Sequence, residues 1–217
     1  RGWVAGLAAP AGASDGVVGR GPSFVTGLGS LLTADRLESW TDWLRWQLIR
    51  SSAPYLTKEV VEANFEFYGK TLTGTPELRA RWKRGVSVVE GAMGEAVGRI
   101  YVERHFSPAA KVAMDALVGH LIDAYRESIT HLDWMTEATR QRALEKLSKF
   151  TPKIGYPDTW RDYSKLVIVP DDLLANVRAT TEFEFQRELG KIGKPIDRDE
   201  WFMTPQTINA YYNPGFN

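Results

Sequence analysis

Few residues of this sequence could bind a metal ion or transfer a proton at a catalytic site. Its 217 residues include three histidines and no cysteine, which excludes thiolate metal sites, a cysteine nucleophile and a disulfide framework within them. None of His105, His120 and His131 begins a His-Glu-x-x-His motif, the arrangement that places two imidazoles and a general base on one helix face. His120 and His131 share a helix face but lie roughly 16 Å apart along its axis. We therefore expect no catalytic residue and no metal site in this chain.

Acidic and basic side chains are numerous, but their spacing does not show that any of them converge. Close acidic pairs are Glu90 with Glu95, Glu184 with Glu188, Asp171 with Asp172, and Asp197 with Asp199. On helices such pairs are typical of solvated faces or of partners for nearby Arg and Lys. The basic residues at 79, 81, 83 and 84 alternate around a helix, and 27 basic residues balance 27 acidic ones. A nucleic-acid partner would favour a basic surplus, so none is expected.

A different chemistry is indicated by the segment Asn209-Ala210-Tyr211-Tyr212, where an amide and a small side chain stand among aromatic residues. This segment leaves the helical period and is predicted to be extended. An edge strand binds an extended peptide through main-chain hydrogen bonds, and an Asn side chain offers both a donor and an acceptor to a peptide unit. A plain buried strand with Asn209 at a bulge explains the same residues. Spacing alone leaves both interpretations open.

Helices are the elements that must position this segment. Thr33 is predicted to be the N-cap of a helix that ends at Pro54. Thr57 is predicted to be the N-cap of a second helix, which ends at Gly69 or Gly74. The Thr75-Pro76 start signal and a long apolar stripe predict a helix over Pro76–Arg104, roughly 40 Å long. The stripe of this helix recurs at steps of three or four residues: Leu78, Trp82, Val86, Val89, Met93, Val97 and Ile100.

The second half of the sequence continues the pattern. Ser107-Pro108 predicts another helix start, with an apolar stripe to Leu132, and Thr136 opens a helix to about Phe150. A last helix is predicted over 171–189. Three short segments break the pattern: 153–156 is a strand or a turn, 166–169 is an apolar β-branched run, and 201–212 is extended. The chain is therefore predicted to be mainly α, with long amphipathic helices and the beginning of a strand at its end.

Several segments resemble the neprilysin family of zinc metalloendopeptidases, especially its bacterial members. The segment from Trp201 to Pro214, WFMTPQTINAYYNP, is similar to the NAYY region of that family. The stretch Trp134–Leu147, WMTEATRQRALEKL, followed by Lys153–Asp158, KIGYPD, is similar to another hallmark. Further matches occur in family order over about residues 22–217: NFEFYG from Asn64, WKR from Trp82, YVERHF from Tyr101 and KPIDRDEW from Lys194.

The resemblance implies a fold and a division of labour. Family members cut oligopeptides inside a closed chamber, where a mainly helical lid domain faces a thermolysin-like catalytic domain. Residues 22–198 then correspond to part of the lid, and 199–217 to the first β-strand of the catalytic domain, after a loosely ordered lead-in at 1–21. Asn209 and Ala210 match the family pair that hydrogen-bonds the substrate backbone. The long helix Pro76–Arg104 would help to wall the chamber, with a steric effect on substrate size.

The catalytic zinc motif of that family follows the NAYY segment, and these 217 residues do not contain it. We therefore expect the parent enzyme to use zinc and the isolated chain to bind none and hydrolyse nothing. Its expected partners are oligopeptide substrates and the catalytic domain of the same polypeptide. The main alternative is a helical protein-interaction module without activity; a ligand-binding bundle would need a convergent polar cluster, which spacing does not reveal.

Composition leaves the compartment open. The chain is 43% hydrophobic and 25% charged, as is ordinary for a soluble globular protein. Its apolar runs are short and interrupted, so no transmembrane segment is expected. It begins at Arg1 and ends at Asn217 within a predicted extended segment, and both ends are interpreted as cuts. The absence of cysteine fits a bacterial protein, either cytoplasmic or exported.

Overall fold

A computed structural model describes residues 21–213 of the chain. These residues are mainly helical, as predicted, and most of the remainder forms turns and irregular connections. Their α-helices are α1 (Pro22–Leu31), α2 (Leu37–Ser52), α3 (Lys58–Phe65), α4 (Arg81–His105), α5 (Pro108–Thr130), α6 (Glu137–Ser148) and α7 (Leu173–Leu189). Two 3₁₀ turns, Ala34–Arg36 and Ala53–Tyr55, flank α2, and a π-helical turn, Glu66–Thr71, extends α3. No described helix is long and apolar enough to cross a membrane.

The described residues divide into two compact units. The first holds the residues up to Val86 together with Leu166–Gly193, and therefore contains α1, α2, α3 and α7. Within it, the Trp40 indole donates to the carbonyl of Leu31 at 2.8 Å, which joins α2 to the end of α1. The apolar run at 166–169 is not a strand, because the side chain of Asn176 on α7 both donates to and accepts from the backbone of Val169.

The second unit holds Ser87–Lys165 and the residues from Lys194 onward. It contains most of α4, the packed pair α5 and α6, and the final irregular segment. The Lys111 ammonium donates to the carbonyl of Tyr156 at 2.8 Å and lies 4.3 Å from the centre of the Tyr156 ring. Gly155 has a φ of +74° and lies against the ring of Phe106, so residues 153–156 form a turn rather than a strand.

Two predicted helix starts are confirmed by their capping hydrogen bonds. The Ser107 hydroxyl accepts from the backbone N–H of Ala110 at the start of α5, and Thr136 accepts from that of Thr139 at the start of α6. Both caps satisfy N–H groups that the first helical turn leaves without partners. Helix α7 begins slightly later than predicted, with Asp172 as its N-cap.

The predicted start of the long helix at Pro76 is wrong. Helix α4 begins at Arg81, and Thr75 instead contacts the end of the preceding helical turn. The backbone N–H of Thr75 donates to the carbonyl of Gly69, and its hydroxyl lies 3.0 Å from that of Thr73. Cap and proline signals are local, and the same Thr-Pro pair can follow one helix without starting the next.

The strand expected near the C-terminus is absent from the described part of 199–217, which ends at Asn213. Residues 207–213 are irregular, and no described segment forms a β-ladder with them. A strand is stable only as a member of a hydrogen-bonded ladder, so this segment is not assigned as one. The expected loosely ordered lead-in at 1–21 and the last four residues lie outside the described residues, except for Gly21.

Little of the apolar surface of the described residues is removed from solvent. Among the described residues, the buried apolar side chains are those of Ala53, Val61, Leu147 and Pro157. Large side chains such as Trp82, at 68% exposure, face solvent. A fully buried Leu or Phe side chain contributes about 1.5–3 kcal/mol, and these residues leave most of that gain unused.

Candidate functional site

The segment that carries Asn209 and Ala210 begins with a tight turn. The backbone N–H of Thr207 donates to the carbonyl of Thr204 at 3.0 Å, with Pro205 and Gln206 at the two central positions. Proline favours the first central position of such a turn because its φ is fixed near the required value. The hydroxyls of Thr204 and Thr207 lie 2.8 Å apart and close the turn a second time.

This turn packs against one face of α4. Gly94 and Gly98 are buried in that helix, and their spacing of four residues places them on the same face. Thr204 lies over Gly94, and Pro205 and Gln206 lie over Gly98. We call the surface formed by Glu90, Gly94 and Gly98 the α4 groove.

Polar contacts fix the turn in the α4 groove. The Gln206 side-chain amide donates to the Glu90 carboxylate and, at 2.9 Å, to the carbonyl of Gly94. The Thr204 hydroxyl donates to the same Glu90 oxygen at 3.2 Å. Because both partners of the Gln206 nitrogen are acceptors, the orientation of the amide is determined. Its oxygen is buried without a hydrogen-bond partner among the described residues.

Helix α4 is distorted where it receives the turn. At Met93 the backbone leaves helical geometry, with φ −140° and ψ 36°. Helix kinks typically occur where a side chain inserts into the backbone hydrogen-bond ladder or where glycines are present. Both features are found here, since Gly94 follows the kink and its carbonyl accepts from Gln206.

Asn209 and Ala210 lie beyond the turn and are exposed. The backbone N–H of Asn209 donates to the carbonyl of Thr207 at 3.1 Å, and its side-chain oxygen accepts from the N–H of Ala210 at 2.8 Å. The Asn209 NH₂ group and the Ala210 carbonyl have no hydrogen-bond partner among residues 21–213. Together they offer one donor and one acceptor, the pair that a peptide unit requires.

The aromatic residues after this pair hold the segment at its other end. The ring of Tyr212 lies 5.6 Å from that of Phe150, and the Lys146 ammonium at the end of α6 lies 5.3 Å from its centre. The ring of Tyr211 meets Phe202 edge to face at 6.1 Å. Aromatic and cation–π contacts of this geometry are worth about 0.5–1.5 kcal/mol each. Asn209 and Ala210 are therefore exposed between two anchored ends.

The remaining acidic pairs singled out in the sequence serve as partners of local groups. Glu95 accepts from the backbone N–H of Arg161 at 2.6 Å, on a different loop from the one that Glu90 holds. Glu184 and Glu188 both contact the guanidinium of Arg187. The Asp172 side chain caps α7, and Asp197 accepts from the N–H of Asp199. None of these pairs is arranged as two carboxylates facing a common substrate.

The described residues do not fit a zinc ion. No group of three or more His, Asp or Glu side chains among them is close enough to bind a metal. His105 packs on Tyr101 with 5.1 Å between ring centres, and the Nδ1 atom of His131 is 2.8 Å from the carbonyl of Glu127. His105 and His131 therefore contact residues one turn earlier in the chain, and a zinc ion would need ligands other than the described residues.

The sequence predicts a substrate-binding role for Asn209 and Ala210 but does not predict the residues that hold them. Glu90 and Gln206 are separated by 116 positions, so no local pattern joins them. The one available signal was the pair of glycines at a spacing of four in α4, which allows close approach of another backbone. Without a partner segment that signal does not say what approaches.

The chain matches peptidase family M13 over residues 2–157. Human neprilysin is 29% identical over 209 residues, which cover 93% of this chain and 28% of neprilysin. The neutral endopeptidase of Lactobacillus helveticus is 30% identical over 198 residues, which cover 90% of this chain and 30% of that protein. The chain spans less than a third of the length of either relative.

Solved structures of one mycobacterial enzyme are more similar. The zinc metalloprotease Zmp1 of Mycobacterium tuberculosis is 56% identical, and its inhibitor complex matches 98% of this chain and 32% of its own with a TM-score of 0.90. The open state of the same enzyme matches 98% of this chain and 33% of its own with a TM-score of 0.83.

Proposed function

The chain belongs to peptidase family M13, and we propose that it is part of a zinc metalloendopeptidase that hydrolyses peptide bonds in oligopeptides. In this enzyme it encloses the reaction chamber and aligns the substrate backbone. Catalysis falls to residues outside these 217. The match to the family over residues 2–157 and the similarity to zinc metalloproteases support this role.

The exposure of Asn209 and Ala210 on an anchored segment is the observation that carries the proposal. A free loop would lose conformational entropy on binding a peptide, whereas a segment held at both ends has lost most of it already. The Asn209 NH₂ group would donate to a substrate carbonyl, and the Ala210 carbonyl would accept from a substrate N–H. These two bonds fix the position of the backbone without reading its side chains, as an enzyme that cuts many peptides requires.

The domain assignment follows from the same proposal. Residues 22–198 belong to the helical lid, and 199–217 begin the catalytic domain as its first strand. The irregular backbone of 207–213 would become a strand when it pairs with a strand of that domain, because pairing supplies the ladder it lacks. The long helix α4 would form part of the chamber wall and limit by steric exclusion the size of substrates that enter.

The alternative, a helical interaction module without activity, draws on the exposed apolar side chains. An exposed apolar patch is typical of a binding surface. However, the relatives are about three times as long as this chain, and packing against the rest of such a protein explains the same surface. Peptide cleavage by the longer protein would decide in favour of the peptidase.

The proposal predicts that Asn209→Ala weakens catalysis in the full-length protein. The change removes one hydrogen bond to the substrate, worth about 1 kcal/mol or somewhat more, so kcat/KM for a quenched fluorescent peptide should fall about 10-fold. Cleavage by the unaltered enzyme should stop when a zinc chelator is added and return with zinc. Gln186→Ala, which truncates an exposed amide on α7, is the matched control and should leave kcat/KM unchanged. An Asn209→Ala enzyme with unchanged kcat/KM would remove this residue from substrate binding.

A further inference from the structure

The α4 groove accepts the turn only because two of its residues have no side chain. An added Cβ atom at Gly98 would lie 2.8 Å from both Pro205 Cδ and Gln206 Oε1, well inside van der Waals contact. A Cβ atom at Gly94 would lie 2.8 Å from the methyl group of Thr204. Gly91, in the same helix, has nothing within 4 Å of the corresponding position. Close approach of the turn therefore depends on Gly94 and Gly98.

Glu90 and Gln206 give the same contact its register. Glu90 accepts from both Thr204 and Gln206, and Gln206 also donates to the backbone of α4. A shift of the turn by one residue along α4 would leave this carboxylate and this carbonyl without donors in a partly buried site, which is costly. The polar bonds therefore favour the same position of the turn as the two glycines do.

Backbone hydrogen bonds between residues close in sequence connect the turn in the α4 groove to Asn209 and Ala210. The backbone N–H of Thr207 donates to Thr204, and that of Asn209 donates to Thr207. These hydrogen bonds restrain the backbone between the α4 groove and Asn209. Burial decreases at the same place: Gln206 is partly buried, and residues 207–212 are exposed. We infer that Glu90, Gly94, Gly98 and Gln206 are positioning residues that set the place of Asn209 and Ala210 for substrate binding, an inference that rests on the proposed function.

A double-mutant cycle in the full-length enzyme tests this inference. Gly98→Ala pushes the turn outward, and a displacement of about 1 Å in a group that aligns substrate can reduce the rate by up to about 100-fold. We expect Gly98→Ala to lower kcat/KM by about 10- to 100-fold. Because the loss acts through the positions of Asn209 and Ala210, adding Asn209→Ala to Gly98→Ala should cost little more. The double variant should have about the kcat/KM of the less active single variant.

Gly91→Ala is the matched control. It makes the same chemical change in the same helix, at a position with open space, and should leave kcat/KM unchanged. Thermal unfolding and the zinc bound per protein are measured for each variant. The zinc content should be equal in all variants, because the α4 groove has no metal ligand. A general loss of folding would instead lower the zinc content.

Two further changes test the α4 groove without inserting a clashing atom, in case Gly98→Ala fails to fold. They are Gln206→Ala and the exchange of Glu90 and Gln206 for one another. Gln206→Ala should lower kcat/KM about 10-fold and show the same non-additivity with Asn209→Ala. Gln206→Glu places two carboxylates together and should be worse. Adding Glu90→Gln to this variant places an amide donor at position 90 opposite the carboxylate at position 206. The double change should recover part of the lost kcat/KM.

The outcomes separate this inference from the proposed function. Losses that multiply in the double variants, or an exchange that recovers nothing, would show that the groove supports the fold without positioning Asn209, and would overturn the inference alone. An unchanged kcat/KM in Asn209→Ala would remove the proposed substrate alignment by Asn209, and the inference with it. Cleavage that survives the chelator would overturn the proposed zinc-dependent function, and the inference with it.

Discussion

Glycine has opposite consequences at two positions of the same helix. Gly91 and Gly98 both lie inside α4, where glycine costs roughly 1 kcal/mol relative to alanine because the unfolded chain is more flexible. At Gly98 that cost is compensated by the turn, which occupies the space that a Cβ atom would need. At Gly91 nothing packs within 4 Å, so the cost has no compensation in the described structure.

We therefore predict that Gly91→Ala stabilises the protein and Gly98→Ala destabilises it. Alanine at position 91 should add about 1 kcal/mol to the free energy of unfolding through helix propensity alone. Alanine at position 98 has the same propensity gain but overpacks the groove, at a typical cost of about 1–3 kcal/mol. Urea or thermal unfolding of the two variants measures both effects. Equal shifts of the same sign would mean that the turn does not contact Gly98 in solution.

Elements differ in how far the sequence alone determines them. Helices α5 and α6 were predicted from Ser107 and Thr136, because a cap and the helix it starts are neighbours in sequence. The sequence does not predict α1 specifically, since glycines at 27 and 29 weaken its pattern. It predicts the start of α4 five residues too early, because Thr75 contacts the preceding helical turn. The strand prediction for residues 207–213 fails for a different reason. Whether they form a strand depends on a neighbouring strand to pair with, and the sequence pattern indicates only an extended backbone.

At the start of α6, charged groups add to the Thr136 cap. The Gln141 side chain donates to the Glu137 carboxylate at 2.8 Å and holds the pKa of Glu137 below its ordinary value, with a smaller contribution from Arg140. Arg140 also donates to the carbonyl of Leu132 and so links this helix end to the loop before it. A negative charge near a helix N-terminus is further favoured by the helix dipole.

This arrangement predicts a specific pH dependence for Glu137→Gln. Because the pKa of Glu137 is lower in the folded state than in the unfolded state, its stabilising contribution is present above the unfolded pKa and is lost as the pH falls through the folded one. The variant should therefore unfold at a slightly lower temperature than the unaltered protein near neutral pH, and the difference should shrink as the pH falls below the ordinary range of glutamate pKa values. Gln141→Ala removes the main cause and should reduce the effect of the Glu137 change. A difference that grows on acidification would contradict the assignment.

At the scale of the whole molecule, the described residues form helices without enclosing a core. Trp43, Trp46 and Trp134 are each at least half exposed, although a tryptophan normally buries most of its large apolar surface. The helices are nevertheless well defined by caps and local ion pairs, so secondary structure and core formation are separated here. The similar proteins are about three times as long as this chain. In the proposed enzyme, the rest of the polypeptide would pack against these exposed apolar side chains.

The isolated 217 residues should therefore bind hydrophobic dyes, self-associate and show no peptidase activity. Exposed apolar patches drive association in water, whereas the longer enzyme would cover them. Because no described group of side chains fits a zinc ion, metal titration followed by dialysis should retain no zinc above background. Sedimentation, dye fluorescence and a quenched-peptide assay compare the isolated chain with the full-length protein under identical conditions. A monomeric isolated chain that binds zinc tightly at one site, or that cleaves the peptide, would contradict the division of labour proposed here, because the catalytic centre would then lie within these residues.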